Sequence, residues 1–264
     1  MNPAILLVIP HYKDTQRLQP FLDALLDTLD DGFTILVSDD GSGEADFMRL
    51  KELVSSRRER PPRLRDRKAI LLDPITASEN RGKGAAVYAG WAAEAAGYDV
   101  VAFADADGAV SPAEIQRAKD YFFRNIDRLD LLVGSRVQML GRKVDRRFAR
   151  HLSGRVFATL VTFITRLRVY DSQCGLKLIK RTVFTDIHPR CQSRGFAFDV
   201  EMLLLTEKLG YRMEEFPVDW MDVRGGKVSV LRHCLPMLLD VLRVKQRVDA
   251  IVDTKRQMKR LHEA

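Results

Sequence analysis

Cysteine is scarce in this chain: Cys174, Cys191 and Cys234 are the three present among 264 residues. An odd number without metal-ligand spacing argues against a disulfide framework and favours a reducing compartment. No uninterrupted apolar run approaches the roughly 20 residues that span a bilayer. The first residues also lack a basic leader and a small-residue cleavage site. We therefore expect a cytoplasmic protein that starts directly with a strand.

Aromatic residues are also few, at 8%, whereas the formal net charge is +7. A positive charge favours anionic partners, which include phosphorylated substrates, nucleic acid and an acidic membrane surface. The basic residues are not interleaved with stacking aromatics, so a nucleic-acid binder is the least favoured of these. Hydrophobic residues at 46% exclude wholesale disorder.

Apolar strand signals and helical signals alternate through the first half, which indicates an α/β fold. The predicted strands are Ile5–Ile9, Thr34–Ser38, Ala69–Leu72, Tyr98–Ala104, Leu131–Ser135, Lys177–Ile179 and Arg212–Val218. The predicted helices of this part are Leu18–Leu29, Phe47–Arg58 and Gly84–Ala96. Because the strands are almost continuously apolar, we expect a mostly parallel sheet covered by helices on both faces.

Two later stretches combine an apolar stripe with many basic residues: Arg146–Arg168 and the segment from Leu231 onward. Such helices lie in a membrane interface, or they pack on the sheet or on a second subunit. We expect either role for the first and packing, with a possible homodimer, for the second. The predicted organisation is a catalytic domain over 1–230 and a basic helical extension over 231–264.

Asp105 and Asp107 follow the apolar strand that ends at Ala104, and Gly108 follows them. Alternate residues of an extended strand project to the same side, and glycine lets the chain turn around whatever lies there. Two carboxylates suit Mg²⁺ or Mn²⁺, which complete their shell with water and substrate phosphates. Two solvated loop aspartates are the competing interpretation.

Two other loops carry candidate ligand-binding groups. Asp39 and Asp40 end the second strand, where a carboxylate can accept hydrogen bonds from a nucleobase or ribose, although a simple acidic turn would look the same. Glu79–Gly84 supplies glycines and two cations just before a helix, a combination that binds phosphate. Asn80 and Lys83 are its candidate contacts.

Together these motifs resemble an inverting family 2 glycosyltransferase of the GT-A fold. The first half contributes Val8–Asp14, Asp39–Ser42, Asn80–Gly84 and Asp105–Ala109, and the second half contributes Gly134–Arg136, Asp171–Leu178, Gly195–Glu201 and Gly225–Ser229. The second half is most similar to dolichyl-phosphate glucosyltransferases and, more generally, to polyprenyl-phosphate hexose synthases. Several ordered motifs are far more specific than any one of them.

The resemblance implies a UDP-sugar donor site. It places Asp39 or Asp40 on the uracil end, with Pro10 and Asp14 lining the same pocket, and Asp105 and Asp107 on the metal. Lys227 would stabilise the diphosphate, although Gly226 stands where the family usually has serine. Gln173 of the Asp171–Leu178 motif is a further substrate-binding candidate.

The resemblance also implies an anionic acceptor, and it points Arg136 at the acceptor phosphate. Arg147, Arg150 and Ser153 of the following helix are expected to assist it. A phosphate monoester is already ionised near neutral pH, so a strong general base is unnecessary. Asp171, Asp199 and Glu201 are the acids available, and they could equally orient sugar hydroxyls or cap helices.

The expected activity is transfer of a hexose, most simply glucose, from a UDP-sugar to a polyprenyl phosphate. The family usually carries an N-terminal membrane anchor, so either amphipathic helices attach this chain peripherally to the membrane or the acceptor is a soluble or saccharide one. A sugar nucleotidyltransferase is less favoured, because it would open with a glycine-rich loop after the first strand, and Pro10–Asp14 contains no glycine.

Overall fold

The computed structural model describes residues 4–59, 68–137, 144–145, 159–221 and 230–262. Its centre is an eight-stranded sheet with the order β3-β2-β1-β5-β8-β6-β9, in which β4 also pairs with β2. The strands are β1 (Ile5–His11), β2 (Phe33–Asp39), β3 (Ile70–Leu71), β4 (Ile75–Thr76), β5 (Val100–Ala104), β6 (Leu131–Ser135), β8 (Leu176–Lys180) and β9 (Met213–Pro217). A separate two-stranded pairing joins β7 (Val144–Asp145) and β10 (Trp220–Met221).

All pairings of the main sheet are parallel except those of β8, which runs antiparallel to β5 on one side and to β6 on the other. The predicted mostly parallel sheet of a GT-A fold is therefore confirmed. The reversal has a local consequence: the start of β8 lies beside the end of β5, since Leu176 pairs with Ala104.

Helices cover both faces of the sheet. They are α1 (Thr15–Thr28), α2 (Glu44–Arg58), α3 (Lys83–Glu94), α4 (Pro112–Arg124), α5 (159–165), α6 (Arg181–Ile187), α7 (Phe198–Lys208) and α8 (Val230–His262). The alternation of β1 shows the two layers: Ile5, Leu7 and Ile9 join a core with α1, α2 and α4. Leu6 and Val8 join a second core with α3, α6, α7 and α8.

Most predicted elements exist with shifted ends, and three elements differ more clearly from the prediction. The third strand covers only Ile70–Leu71. The helix predicted over Arg146–Arg168 lies mainly outside the described residues, and its described part ends at 165 because Arg166 adopts a left-handed φ of 57°. The unpredicted α4 has a clear start signal: Ser111 accepts a hydrogen bond from the N–H of Glu114, and Pro112 occupies the first turn.

The C-terminal segment is a single helix with Pro236 inside it. Its buried face, Val241, Val244 and Val248, packs in the second core, chiefly against α7. Packing on the body of the protein is thus observed for this helix, while the division into domains and the homodimer stay predictions. Among the described residues, no helix is both long enough and apolar enough to cross a membrane.

Candidate active site

Asp105 and Asp107 lie at the carboxyl end of β5, where the chain leaves the sheet. Gly108 has a φ of 69°, which lets the chain turn back so that the N–H of Ala109 donates to Asp107 Oδ1 at 3.0 Å. Burial raises the pKa of Asp107, and the negative charge of Asp105 raises it further. The two carboxylates are half-buried and repel one another, and a bound cation would relieve this repulsion.

Lys83 is the first residue of α3, and its Nζ lies 2.6 Å from Asp105 Oδ1. Burial opposes the charged form of Lys83, but the carboxylates of Asp105 and Asp199 outweigh that effect and raise its pKa. The rings of Phe103 and Phe198 lie 4.9 and 5.7 Å from Nζ. A fixed ammonium and the N-terminus of a helix thus meet beside the aspartate pair.

The donor set fits a divalent cation of the magnesium type. Asp105 and Asp107 offer oxygen ligands, and Asp105 already holds the positive charge of Lys83. Within the described ranges, no group of three or more His, Cys, Asp or Glu side chains gathers as a metal cluster. Mg²⁺ is commonly held by one or two carboxylates, with water and substrate phosphates as its other ligands.

Gly175 presses directly against this pair. A Cβ at Gly175 would lie 2.3 Å from Asp105 Oδ2, and the N–H of Asp105 donates to the carbonyl of Gly175 at 3.0 Å. The close approach follows from the antiparallel pairing of β8 with β5. Glycine is needed here for space, so that Asp105 keeps its direction.

Asp39 ends β2 with its carboxylate fully engaged inside the protein. Oδ1 accepts from His11 Nδ1 at 2.8 Å and from Ser42 Oγ, and Oδ2 accepts from Ser42 N at 2.9 Å and from Thr76 Oγ1 at 2.8 Å. Burial alone would raise the pKa of Asp39, but these hydrogen bonds outweigh it and hold the pKa below its usual range. Asp39 joins β1, β2 and β4 at their common end.

Asp40 connects the same turn to α3. Its two carboxylate oxygens accept from the N–H groups of Arg81 and Gly82 at 2.9 and 2.7 Å. Burial raises the pKa of Asp40 even though these bonds oppose the shift. Asn80, the neighbouring candidate, is exposed. Both aspartates predicted to hold the base therefore also have structural partners.

Pro10 and Asp14 flank the same end of the sheet. Pro10 pairs in register with Ser38 and is half-buried. Asp14 Oδ2 lies 2.9 Å from Arg17 Nη2 at the start of α1. The positive charge of Arg17 lowers the pKa of Asp107 against the effect of burial. Arg17 is thus a cation beside Asp14 that the motifs did not predict.

Arg136 and Asp171 form a two-pronged ion pair beside Trp220. Arg136 Nε and Nη2 donate to the Asp171 carboxylate at 2.7 and 2.6 Å, and the N–H of Arg136 donates as well, at 2.8 Å. Burial would raise the pKa of Asp171, but Arg136 lowers it below its usual range. The predicted acceptor arginine and the predicted acid are therefore partners of each other.

Asp199 pairs with a buried lysine that the sequence analysis did not single out. Lys177 is 0% exposed, and its Nζ donates to the carbonyls of Ser172 and Cys174 and lies 2.7 Å from Asp199 Oδ1. Burial raises the pKa of Asp199, against the effect of Lys177 and Lys83. The position of Lys177 between Leu176 and Leu178 in a strand was the available signal, because a buried ammonium requires a carboxylate.

The remaining candidates either contact α8 and the loop at 192–193 or lie outside the described residues. Gln173 Nε2 is 3.9 Å from Met237 Sδ of α8. Glu201 is 1% exposed, and its partners are the loop at 192–193 and Arg247 of α8. The candidates outside the described residues are Arg147, Arg150, Ser153 and Lys227.

The family model and the similar proteins of known name all describe glycosyltransferases. Residues 6–187 match the model of the family described as glycosyl transferase family 2. A dolichyl-phosphate beta-glucosyltransferase of Dictyostelium discoideum is 29% identical over 258 residues, covering 93% of this chain and 75% of that protein. The enzyme of the same name from Drosophila melanogaster is 30% identical over 261 residues, covering 90% of this chain and 73% of that protein.

Solved structures share the fold. Glucosyl-3-phosphoglycerate synthase of Mycobacterium tuberculosis, crystallised with Mn²⁺, UDP-glucose and phosphoglyceric acid, superposes with a TM-score of 0.61. The alignment covers 94% of this chain and 80% of that chain at 14% identity. At that identity the likeness extends to the fold alone.

Proposed function

The chain belongs to glycosyl transferase family 2 and is a glycosyltransferase, and from that premise we propose that it transfers a hexose from a UDP-sugar to a polyprenyl phosphate. The observation that carries the proposal is the Asp105 and Asp107 pair with Lys83 at 2.6 Å on the N-terminus of α3. Glucose is the proposed sugar, because the relatives across most of the chain are named dolichyl-phosphate glucosyltransferases.

Asp105 and Asp107 are the proposed ligands of Mg²⁺ or Mn²⁺. When bound, the metal would supply positive charge to the diphosphate of the departing UDP. Lys83, Arg17 and the N-terminus of α3 add fixed positive charge to the same place, so the developing negative charge meets groups that are already oriented. Arg17 was not among the motif residues, and it belongs to this proposal because its charge acts on Asp107.

Asp40, Pro10 and Asp14 are proposed to line the base end of the donor site. Asp40 fixes the loop before α3 through the N–H groups of Arg81 and Gly82, which sets the position of Lys83. Asp39 holds the ends of β1, β2 and β4 together beneath it. Asn80 is exposed next to these groups and remains a proposed contact.

Arg136 is proposed to attract the acceptor phosphate while it stays paired with Asp171. Its guanidinium uses Nε and Nη2 for Asp171, which fixes its plane beside Trp220. A phosphate monoester is ionised near neutral pH, with a second pKa of about 6, so the acceptor oxygen needs no strong base. Asp171 then orients Arg136. Asp199 pairs with Lys177, and its charge also acts on Lys83.

Exposed apolar side chains on and after α5 support a lipid acceptor. Phe163 is 82% exposed, Leu160 is 41% exposed and Tyr170 is 76% exposed. Arg166 and Arg168 are exposed between them. Aromatic and basic residues together are typical of a surface that contacts an anionic membrane interface, and we propose peripheral contact here.

The direct test incubates the protein and Mg²⁺ with radiolabelled nucleotide sugars and a short polyprenyl phosphate, and counts label extracted into organic solvent. We expect label from UDP-glucose, and a loss of about 100-fold or more in Asp107→Asn. Asp73→Asn is the matched control, because Asp73 is a surface carboxylate paired with Arg58. Undiminished turnover of Asp107→Asn would contradict the metal assignment. UDP release with soluble acceptors alone would replace the lipid acceptor with a soluble one.

A further inference from the structure

Arg247 of α8 is the outer end of a chain of contacts that leads to the aspartate pair. Its Nη2 lies 2.7 Å from Glu201 Oε1 and donates to Ser193 Oγ at 3.1 Å. Glu201 is 1% exposed on α7, so Arg247 neutralises a buried carboxylate. The Arg247 side chain is 35% exposed, whereas that of Glu201 is buried, so removing Arg247 would leave a buried negative charge without its cation.

Glu201 in turn holds the loop that precedes α7. Its Oε2 accepts the N–H groups of Gln192 at 2.8 Å and Ser193 at 2.6 Å. These two bonds and the Arg247 contact to Ser193 fix the backbone at this point of the loop. The position of the next residues, Arg194 and Gly195, therefore depends on Glu201.

The loop then contacts the first turn of α3 through backbone. The carbonyl of Arg194 accepts the N–H of Ala85 at 2.9 Å. A Cβ at Gly82 would lie 2.8 Å from that carbonyl oxygen, and a Cβ at Gly84 would lie 2.9 Å from it. No side chain separates the two segments here, so a shift of the loop shifts the start of α3.

Lys83 begins that turn and lies 2.6 Å from Asp105 Oδ1. We propose that Arg247 is a positioning residue for donor binding, acting through Glu201 and the loop at 192–195 on Lys83. The inference rests on the proposed function, because it takes Lys83 and Asp105 as the diphosphate end of the donor site. It gives α8 a role in the reaction beyond covering the core.

The test measures binding of UDP with Mn²⁺ to the full chain by calorimetry. We expect the dissociation constant of Arg247→Met to rise about tenfold. Arg247→Lys should bind as the unmodified chain does, because both contacts are made by one nitrogen. Arg243→Met is the matched control on the same helix, since Arg243 is exposed and pairs with Asp240 of that helix.

Kinetics separate positioning from general destabilisation. In Arg247→Met the KM for the nucleotide sugar should rise, while kcat at saturating donor should stay within about twofold. A lower kcat with an unchanged KM would overturn the inference, because it would report loss of folded enzyme. In a Glu201→Gln background, which removes the buried charge, Arg247→Met should add no further loss; an additional tenfold loss would also overturn it.

The same measurement separates failure of the proposed function from failure of the role of Arg247. If the unmodified chain fails to bind UDP with Mn²⁺, the proposed function fails and this inference fails with it. If the unmodified chain binds and Arg247→Met binds equally well, only the role of Arg247 is overturned.

Discussion

Asp39 accepts hydrogen bonds from His11, Ser42 and Thr76 on both carboxylate oxygens. The N–H of Asp14 donates to His11 Nε2 at 3.2 Å, so His11 Nδ1 carries the proton that Asp39 accepts. A carboxylate so engaged contributes to stability in its ionised form. A structural role of this kind for Asp39 is an alternative to direct contact with a nucleobase.

We predict that Asp39→Asn lowers the free energy of unfolding at neutral pH by about 1–3 kcal/mol, because an amide nitrogen would face a donor. Since the folded state lowers the pKa of Asp39, its contribution is present above the unfolded value of about 3.9 and is lost as pH falls through the folded value. The difference in free energy of unfolding between the unmodified chain and Asp39→Asn should become smaller at acid pH. Urea denaturation over a pH series measures this difference, with Asp73→Asn as control because the Asp73 side chain is exposed.

An unchanged stability together with weaker UDP binding would contradict the structural role. It would assign Asp39 to the base of the donor instead.

Single residues were predictable where a spacing carries the chemistry. Asp105 and Asp107 follow an apolar strand with glycine behind them, and the structure places both at the carboxyl end of that strand. Their partners were not predictable, because Lys83 and Gly175 come from two distant parts of the chain. The pairing of Arg136 with Asp171 spans 35 positions, so no local pattern reveals it.

Among the elements, α3 requires glycine at two positions around its first turn. Gly82 has a φ of 102°, which glycine adopts readily, and Gly84 packs on Phe198 without room for a methyl group. The helix was predicted from its alanine-rich run, and its observed start at Lys83 is one residue earlier than expected. The alanine-rich run could not predict that the loop at 194–195 lies against the start of α3.

Gly84→Ala should lower the free energy of unfolding by about 1–3 kcal/mol, because the new Cβ would lie 2.5 Å from Phe198 Cβ. Gly97→Ala is the matched control, since nothing lies within 4 Å of a Cβ at that position. Chemical denaturation of both variants measures the difference. Equal stabilities would mean that α3 and α7 separate easily at this contact.

On the scale of the whole molecule, the net charge of +7 and the exposed Phe163 predict association with anionic membranes. The chain should sediment with vesicles that contain acidic lipid and much less with neutral vesicles. Binding should fall between about 0.1 and 0.5 M NaCl, because salt screens surface charge. Phe163→Ser should weaken binding about tenfold through lost apolar burial, whereas Met48→Ser on α2 should not.

Equal binding of Phe163→Ser and the unmodified chain would place the membrane contact elsewhere on the molecule.

The architecture was predictable in class but not in order. Alternating strand and helix signals led to a mostly parallel sheet with two covered faces, which the structure shows. The direction of β8 was not predictable, because the residues of Leu176–Lys180 would suit a parallel or an antiparallel strand, and only the pairing with β5 and β6 decides between them. The short strands β3 and β4 form by pairing with β2, and a local sequence pattern does not predict such pairing.

The reversed strand has a consequence for the order in which the protein folds. The sheet on one side of β8 is built from residues up to Ala104, whereas β6 and β9 reach it only through β8. During synthesis β5 therefore remains an unpaired edge until residue 180 has emerged, some 76 positions after Ala104 (180 − 104). Asp105 meets Gly175 only at that step. The aspartate pair should gain protection from hydrogen exchange late in refolding, after the β1–β2 pairing has formed.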